Sequence, residues 1–263
     1  MSMRMVRQDR LQMIAAELLD NVSPRIARQW DEKIKNGIIP AEVKRSGPFD
    51  PQLHDCSMTE LGQFEYECYK KLLSTRWKEP GEVHYCGVGR GDGLRAITEL
   101  ANQNGCSVIA YDISESGLEN AQKIFDEIDG DDRIIAFQAD LMYLLRRGKA
   151  FLDPSKARYI ILSRVLSVLT KQELFYTQIS KSRRKMEKTA DFLGRSLEYM
   201  EALVIDPTPE DNPNAIWGDT TPYNIPHLVK YLEKGLLSKV EVTEIGKHQH
   251  YNHTYRANCF ARR

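Results

Sequence analysis

The chain has 263 residues, 41% of them hydrophobic and 28% charged, with 37 Lys and Arg against 37 Asp and Glu. These are ordinary globular proportions, and the zero balance disfavours a sequence-independent nucleic-acid binder, which needs excess cations to displace phosphate counterions. No run approaches the ~18 apolar residues of a membrane span, and the first residues lack the apolar core of a secretory signal.

The five cysteines form no C-x-x-C pair, so they read as reduced, mostly buried thiols of a cytoplasmic protein rather than a zinc site. The chain opens on helices. Leu11, Ile14, Ala15, Leu18 and Leu19 recur at helical spacing. Ser23-Pro24 reads as an N-cap followed by proline at the first helical position, with Gly37 as the stop. Residues 47–55 carry prolines and a glycine without periodicity and read as loop. A longer helix is expected over 57–75, with Leu61, Phe64, Cys68, Tyr69 and Leu72 facing inward.

From residue 82 onward strands and helices alternate. Strands are expected at 83–86, 107–111, 133–137, 159–163 and 202–205, and helices around 94–101 and 118–128. Thr170-x-x-Glu173 is a capping-box pattern opening a helical stretch to about Tyr199. The proline-rich segment 206–223 is too long for a simple turn and is expected to shape a pocket, with Trp217 and Tyr223 in it. A helix over 225–235 and strands at 239–245 and 255–261 complete the chain. The loop of about nine residues between those strands is too short for a helical crossover, which makes them antiparallel neighbours. The alternation predicts an α/β fold, a mostly parallel sheet covered on both faces, divided into a helical cap over 1–79 and a ligand-binding domain over 80–263.

The segment most informative about function is Val83-His84-Tyr85-Cys86-Gly87-Val88-Gly89-Arg90-Gly91-Asp92-Gly93, which follows a strand and opens a helix. Glycines there let the backbone turn sharply and let a ligand approach the main chain, and the amides of the following helix face that ligand. The dinucleotide fingerprint G-x-G-x-x-G is not met from Gly87 or from Gly89; the pattern is G-x-G-x-G. With Asp112 ending the second strand and Asp140 following the third, this arrangement resembles the class I S-adenosylmethionine (SAM)-dependent methyltransferases. The resemblance covers roughly residues 80 to 263. It implies a Rossmann-like sheet with an antiparallel final strand and SAM as cosubstrate. Gly87, Gly89 and Gly91 would shape the turn, Asp112 would bind the ribose with Ile113 beside it, and Asp140 and Leu141 would border the adenine.

The chain departs from the family at Tyr85, where many members carry an acid that helps hold the methionine ammonium. One reading is family variation, with another residue taking that task. The other is that a free amine attacks its own γ-carbon, forming an azetidine ring and releasing methylthioadenosine, as azetidine-2-carboxylate synthases do. The fourth strand ends in Ser163-Arg164, without the N-P-P-[YF] of base-amino methyltransferases. Ser163 would sit at the ligand-binding end of the sheet, and Arg164 would grip a carboxylate. Trp217 and Tyr223 would either cover a sulfonium through their rings or anchor the loop to the core. Tyr85, Ser163, Arg164 and Tyr223 are thus the candidate catalytic residues, and Tyr85 and Ser163 count among the cofactor-binding ones as well. Tyr176 and His227 are weaker candidates. His248, His250 and His253 read as a solvated turn rather than a metal site, and the basic run 181–185 as a solvated face. The N-terminal helices read as a lid, as flank packing or as a dimer contact, with Trp30 and Tyr66 the side chains of interest. The expected activity is methyl transfer to a small molecule, with intramolecular cyclisation and a non-catalytic SAM-binding module as alternatives. No nucleic-acid or membrane partner is expected, and oligomeric state is left open.

Overall fold

The computed structural model describes residues 3–35, 51–77, 79–128, 134–141, 143–144, 157–163, 165, 190–191, 193–198, 200–208, 229, 232–234, 240–250 and 253–262. In chain order the elements are α1 (Met3–Asp20), α2 (Pro24–Lys35), α3 (Pro51–Thr75), β1 (Glu82–Cys86), α4 (Asp92–Gln103), β2 (Ser107–Asp112), α5 (Glu115–Glu127), β3 (Ile134–Gln138), β4 (Ala157–Ser163), β5 (Glu201–Thr208), β6 (Val240–His250) and β7 (His253–Arg262).

The strands form one seven-stranded sheet in the order β3-β2-β1-β4-β5-β7-β6. Neighbours from β3 through β5 are parallel, and β7 runs antiparallel to both β5 and β6. This is the mostly parallel sheet with a reversed final strand that the alternating pattern predicts. β1 is buried along its whole length, as a central strand covered on both faces must be. One face carries α3, α4 and α5: Tyr69, Leu72, Leu94, Ile97, Ala121 and Ile124 pack there against Val83, Tyr85, Val108 and Ile161. Leu18 of α1, with Leu193, Leu197 and Leu232, packs against Ile160, Leu162, Val204 and Phe260 on the other.

Three elements reach further than local pattern predicts. α3 begins at Pro51, inside the stretch read as loop; proline presets the helical φ and lacks an N–H that the first turn leaves unbonded anyway. β5 runs through Pro207 to Thr208, pairing with Tyr255 and Thr254 of β7. On its other side the described pairing with β4 ends at Ser163, opposite Ile205, so Pro207 lies beyond the paired stretch on that side, where proline is tolerated. The last two strands form a long hairpin paired from Val240↔Arg262 to His250↔His253, so most of the expected nine-residue loop is strand. That polar stretch carries no apolar alternation, and its pairing comes from β7 across the ladder. The register slips between Glu244 and Gly246, where α3 crosses closely: a Cβ on Gly246 would stand 3.0 Å from Cys68 Sγ and from Phe64 Cε2.

The C-terminal end of α3 is anchored to the amino end of β5. Arg76 Nε donates to Glu201 Oε2 at 3.2 Å and Arg76 Nη1 to Glu241 Oε1 at 3.3 Å. Trp77 Nε1 donates to Glu201 Oε2 at 2.9 Å, and its ring stacks on Tyr159 with centroids 4.2 Å apart. Lys71 Nζ donates to the Ile245 carbonyl at 2.8 Å. α3 therefore belongs to the same layer as α4 and α5.

Candidate functional site

Strand order reverses between β1 and β4, the place where open α/β sheets leave a crevice at the carboxyl ends of their strands. The glycine turn rises from β1 at this point. Gly87, Gly89 and Gly91 have φ of 81°, 56° and 94°, a region that side chains disfavour. Their surroundings differ. A Cβ on Gly87 would stand 2.5 Å from Val165 Cγ2, and one on Gly91 would overlap Ile124, whereas one on Gly89 would meet nothing within 4 Å. Gly87 and Gly91 fit the turn to its own protein; the outer side of Gly89 is clear of the described residues. Gly87 N–H donates to the Tyr111 carbonyl at 2.8 Å, tying the turn to β2.

Asp112 closes the turn from the end of β2. Its Oδ2 accepts from Gly89 N at 2.9 Å, and its Oδ1 accepts from Ser114 N and Ser114 Oγ, both at 2.8 Å. Ser114 also caps α5 by accepting from Gly117 N at 3.0 Å. A carboxylate offers about four lone-pair positions, and among the described residues Oδ2 has one donor, Gly89 N–H, which leaves it a lone pair for a ligand hydroxyl. The carboxyl lies flat on Gly117, where a Cβ would stand 2.5 Å from Asp112 Cγ. Ile113 follows, its carbonyl accepting from Gln138 Nε2 at 3.1 Å.

The end of β3 is held to the end of β2 by Ala139 N–H donating to the Asp112 carbonyl at 2.7 Å. Asp140 then opens a helical turn, its carbonyl accepting from Tyr143 N at 2.9 Å and Leu144 N at 3.0 Å. Leu141 Cδ1 would stand 3.9 Å from a Cβ on Gly87, which places Leu141 beside the glycine turn. α1 and α2 attach here. Tyr143 OH donates to Glu17 Oε1 of α1 at 2.9 Å, and Asp31 Oδ1 of α2 accepts from Ser116 N in the first turn of α5 at 2.9 Å. Trp30 is half-buried on α2, and Tyr66 packs from α3 against the core.

Tyr85 and Ser163, at the ends of β1 and β4, are brought together by a residue the sequence reading passed over. Glu65 of α3 is 0% exposed. Ser163 Oγ donates to its Oε1 at 2.6 Å and Tyr69 OH to its Oε2 at 3.3 Å. A Cβ on Gly93, in the first turn of α4, would overlap both Glu65 Oε2 and the Tyr85 hydroxyl. Glu65 did leave a signal: it sits one turn from Leu61 and one turn from Tyr69, on the apolar stripe of its helix, where an acid is out of place. The thiols nearby are inert at neutral pH. Burial, then the Glu65 charge, pushes Cys68 from 9.0 to about 12, and burial alone pushes Cys86 to about 12. Burial also holds the Tyr111 hydroxyl well above its usual range, with Cys86 and Glu82 adding to it.

Arg164, Tyr176, Trp217, Tyr223, His227 and the basic run 181–185 lie outside the described residues. His248 stacks on Phe64 of α3 with ring centroids 5.4 Å apart; the side chains of His250 and His253 lie outside the description. Among the described residues no helix is long and apolar enough to cross a membrane.

No family model and no curated protein matches the chain. Solved structures do match. The bifunctional kinase-methyltransferase WbdD superposes with a TM-score of 0.54 at 12% identity over 77% of this chain and 39% of that one. Magnesium protoporphyrin IX methyltransferase (ChlM) from Synechocystis PCC 6803, solved with bound SAM, gives 0.53 at 14% identity over 82% of this chain and 86% of that one. The CcbJ methyltransferase from Streptomyces caelestis gives 0.53 at 10% identity over 76% and 95%. The chain thus spans less than half the length of WbdD and most of the length of the other two. The likeness is one of fold: this chain shares the fold of these methyltransferases.

Proposed function

We propose that the protein binds SAM and transfers its methyl group to a small-molecule acceptor. The observation that carries this is the glycine turn at the strand-order reversal, clear of the described residues on the outer side of Gly89 and faced by the Asp112 carboxylate, on a fold shared with SAM-dependent methyltransferases. In this reading Asp112 Oδ2 accepts a ribose hydroxyl, Ile113, Asp140 and Leu141 border the adenine, and the methionine end lies toward Tyr85 and Ser163. Arg164 is assigned to a carboxylate and Tyr223 to the side of the sulfonium.

Bound there, SAM supplies a methyl carbon activated by its sulfonium. The acceptor's lone pair attacks that carbon in line with the carbon–sulfur bond, whose electrons return to sulfur. The protein's part is to hold the two reactants in line and exclude water. Burial holds the thiol of Cys86, which precedes the turn, up at about 12 and so favours its protonated, less nucleophilic form.

The test is to incubate the protein with SAM, alone and with candidate acceptors, and to identify the products by mass spectrometry. S-adenosylhomocysteine formed only when an acceptor is present is the expected result. Methylthioadenosine formed from SAM alone would overturn methyl transfer in favour of cyclisation. Tight binding without turnover would point to a binding module.

A further inference from the structure

Position 85 carries a tyrosine where the resemblance implies an acid, and another element brings an acid to the same ground. Glu65 reaches from α3 to Gly93 in the first turn of α4, and its Oε2 and the Tyr85 hydroxyl both crowd the space a Cβ on Gly93 would take. Ser163, at the end of β4, donates to its other oxygen at 2.6 Å. The carboxylate therefore lies between β1 and β4 at the strand-order reversal, beside the glycine turn.

Burying a carboxylate is costly. The hydroxyls of Ser163 and Tyr69 offset part of that cost, and so does the amino end of α4, which has no side-chain cap of its own. An apolar residue at position 65 would continue the stripe of Leu61, Cys68 and Leu72 with no such cost. A fully buried acid kept on an apolar stripe, beside the strand-order reversal and the first turn of α4, marks a place where charge is used.

We infer that Glu65 is the anion that receives the ammonium of SAM's amino-acid end, with Ser163 and Tyr85 as the hydroxyls that position it. The inference rests on the reading of SAM as ligand. Glu65 does from the helix what a strand acid at position 85 would do from the sheet. It has a chemical consequence. A carboxylate beside the amine favours its protonated form, and a protonated amine has no lone pair with which to attack its own γ-carbon. The tyrosine at position 85 then no longer argues for cyclisation.

The experiment compares two ligands on the full-length protein by titration calorimetry. SAM carries the amino-acid end; 5′-methylthioadenosine keeps the adenosine and the sulfur but lacks it. Glu65→Gln is expected to weaken SAM by about tenfold to a hundredfold, the scale of one lost charged hydrogen bond, while leaving methylthioadenosine within about twofold. Glu65→Met, which keeps the length and removes the charge, is expected to do the same and carries the test if the glutamine variant folds poorly. Methylthioadenosine binding reports that each variant is folded. If the wild-type protein binds both ligands and the variants weaken both alike, or neither, the inference is overturned and Glu65 is a structural cap for α4. If the wild-type protein binds neither ligand, the SAM reading falls, and the inference with it.

Discussion

The end of β2 and the middle of α3 each bury a carboxylate beside the glycine turn, and they hold it by different means. Asp112 is fixed by its own neighbourhood: Ser114, two residues on, supplies two donors, and Gly89 supplies the third. Glu65 is fixed by two hydroxyls, that of Tyr69 one turn along its own helix and that of Ser163, 98 residues away. Each rests on a glycine of a following helix, Gly117 for Asp112 and Gly93 for Glu65. The first arrangement is built from two backbone amides and one hydroxyl, and among the described donors only Gly89 N–H is on Oδ2. The second is a charge set into an apolar wall. In the proposed reading the two divide the ligand, sugar to Asp112 and amino-acid end to Glu65.

This division can be broken by substitution, starting with the largest effect. Asp112→Ala removes the sugar contact and also frees the Gly89 N–H. It should cost both SAM and methylthioadenosine more than about a hundredfold in affinity. Unchanged affinity by calorimetry would mean that Asp112 does not face the ribose. Gly117→Ala and Gly93→Ala form a matched pair. The first places a Cβ 2.5 Å from Asp112 Cγ, and should weaken both ligands about tenfold while costing about 1–3 kcal/mol of stability through overpacking. The second pushes on Glu65 and Tyr85, and should weaken SAM while sparing methylthioadenosine. Identical ligand profiles for the two variants would erase the distinction between the regions.

Smaller effects bear on the supports. Asp31→Ala removes the acceptor for the Ser116 N–H at the start of α5. It should cost about 1 kcal/mol, as helix caps do, seen as a fall of about 2–4 °C in Tm. The thiols give a pH dependence. Cys68 and Cys86 are raised from 9.0 to about 12 in the folded protein. The unfolded chain therefore loses these protons first as pH rises. Their contribution is fully present below pH 9 and is lost between pH 9 and about 12. A thermal midpoint flat from pH 7 to 9 and falling above it is the expected profile; Glu65→Gln should soften the part due to Cys68, because Glu65 adds to that shift while Cys86 owes its own to burial alone.

The contrast between the two acids also explains what could be read from sequence. Asp112 was legible because everything that defines it is nearby in the chain: the strand it ends, the Ser114 cap and the glycines before it. Glu65 acquires its meaning only when β4 is laid beside β1, and no local periodicity reports that pairing. The same holds for strand ends. β5 continues through Pro207 because β7 pairs with it, and the polar residues Lys247 to Gln249 are strand for the same reason. The sheet order itself was legible in outline, since alternating buried strands and amphipathic helices leave few ways to connect.

The anchoring of α3 has a consequence for binding energetics. Its C-terminal end is fastened to the sheet through Arg76, Trp77 and Lys71, and its middle is wedged at Glu65 against Gly93 and Ser163. A charge carried on a helix so secured is already oriented before a ligand arrives. The loss of side-chain freedom that such a contact entails then belongs to folding, and association is spared that entropy. α1 and α2 join the opposite side of the site, beside Asp112 and Asp140, through Glu17 and Asp31, and Leu18 sets α1 into the core of the other sheet face. In the proposed reading the charge that meets the ligand is thus part of the floor and need not leave its place.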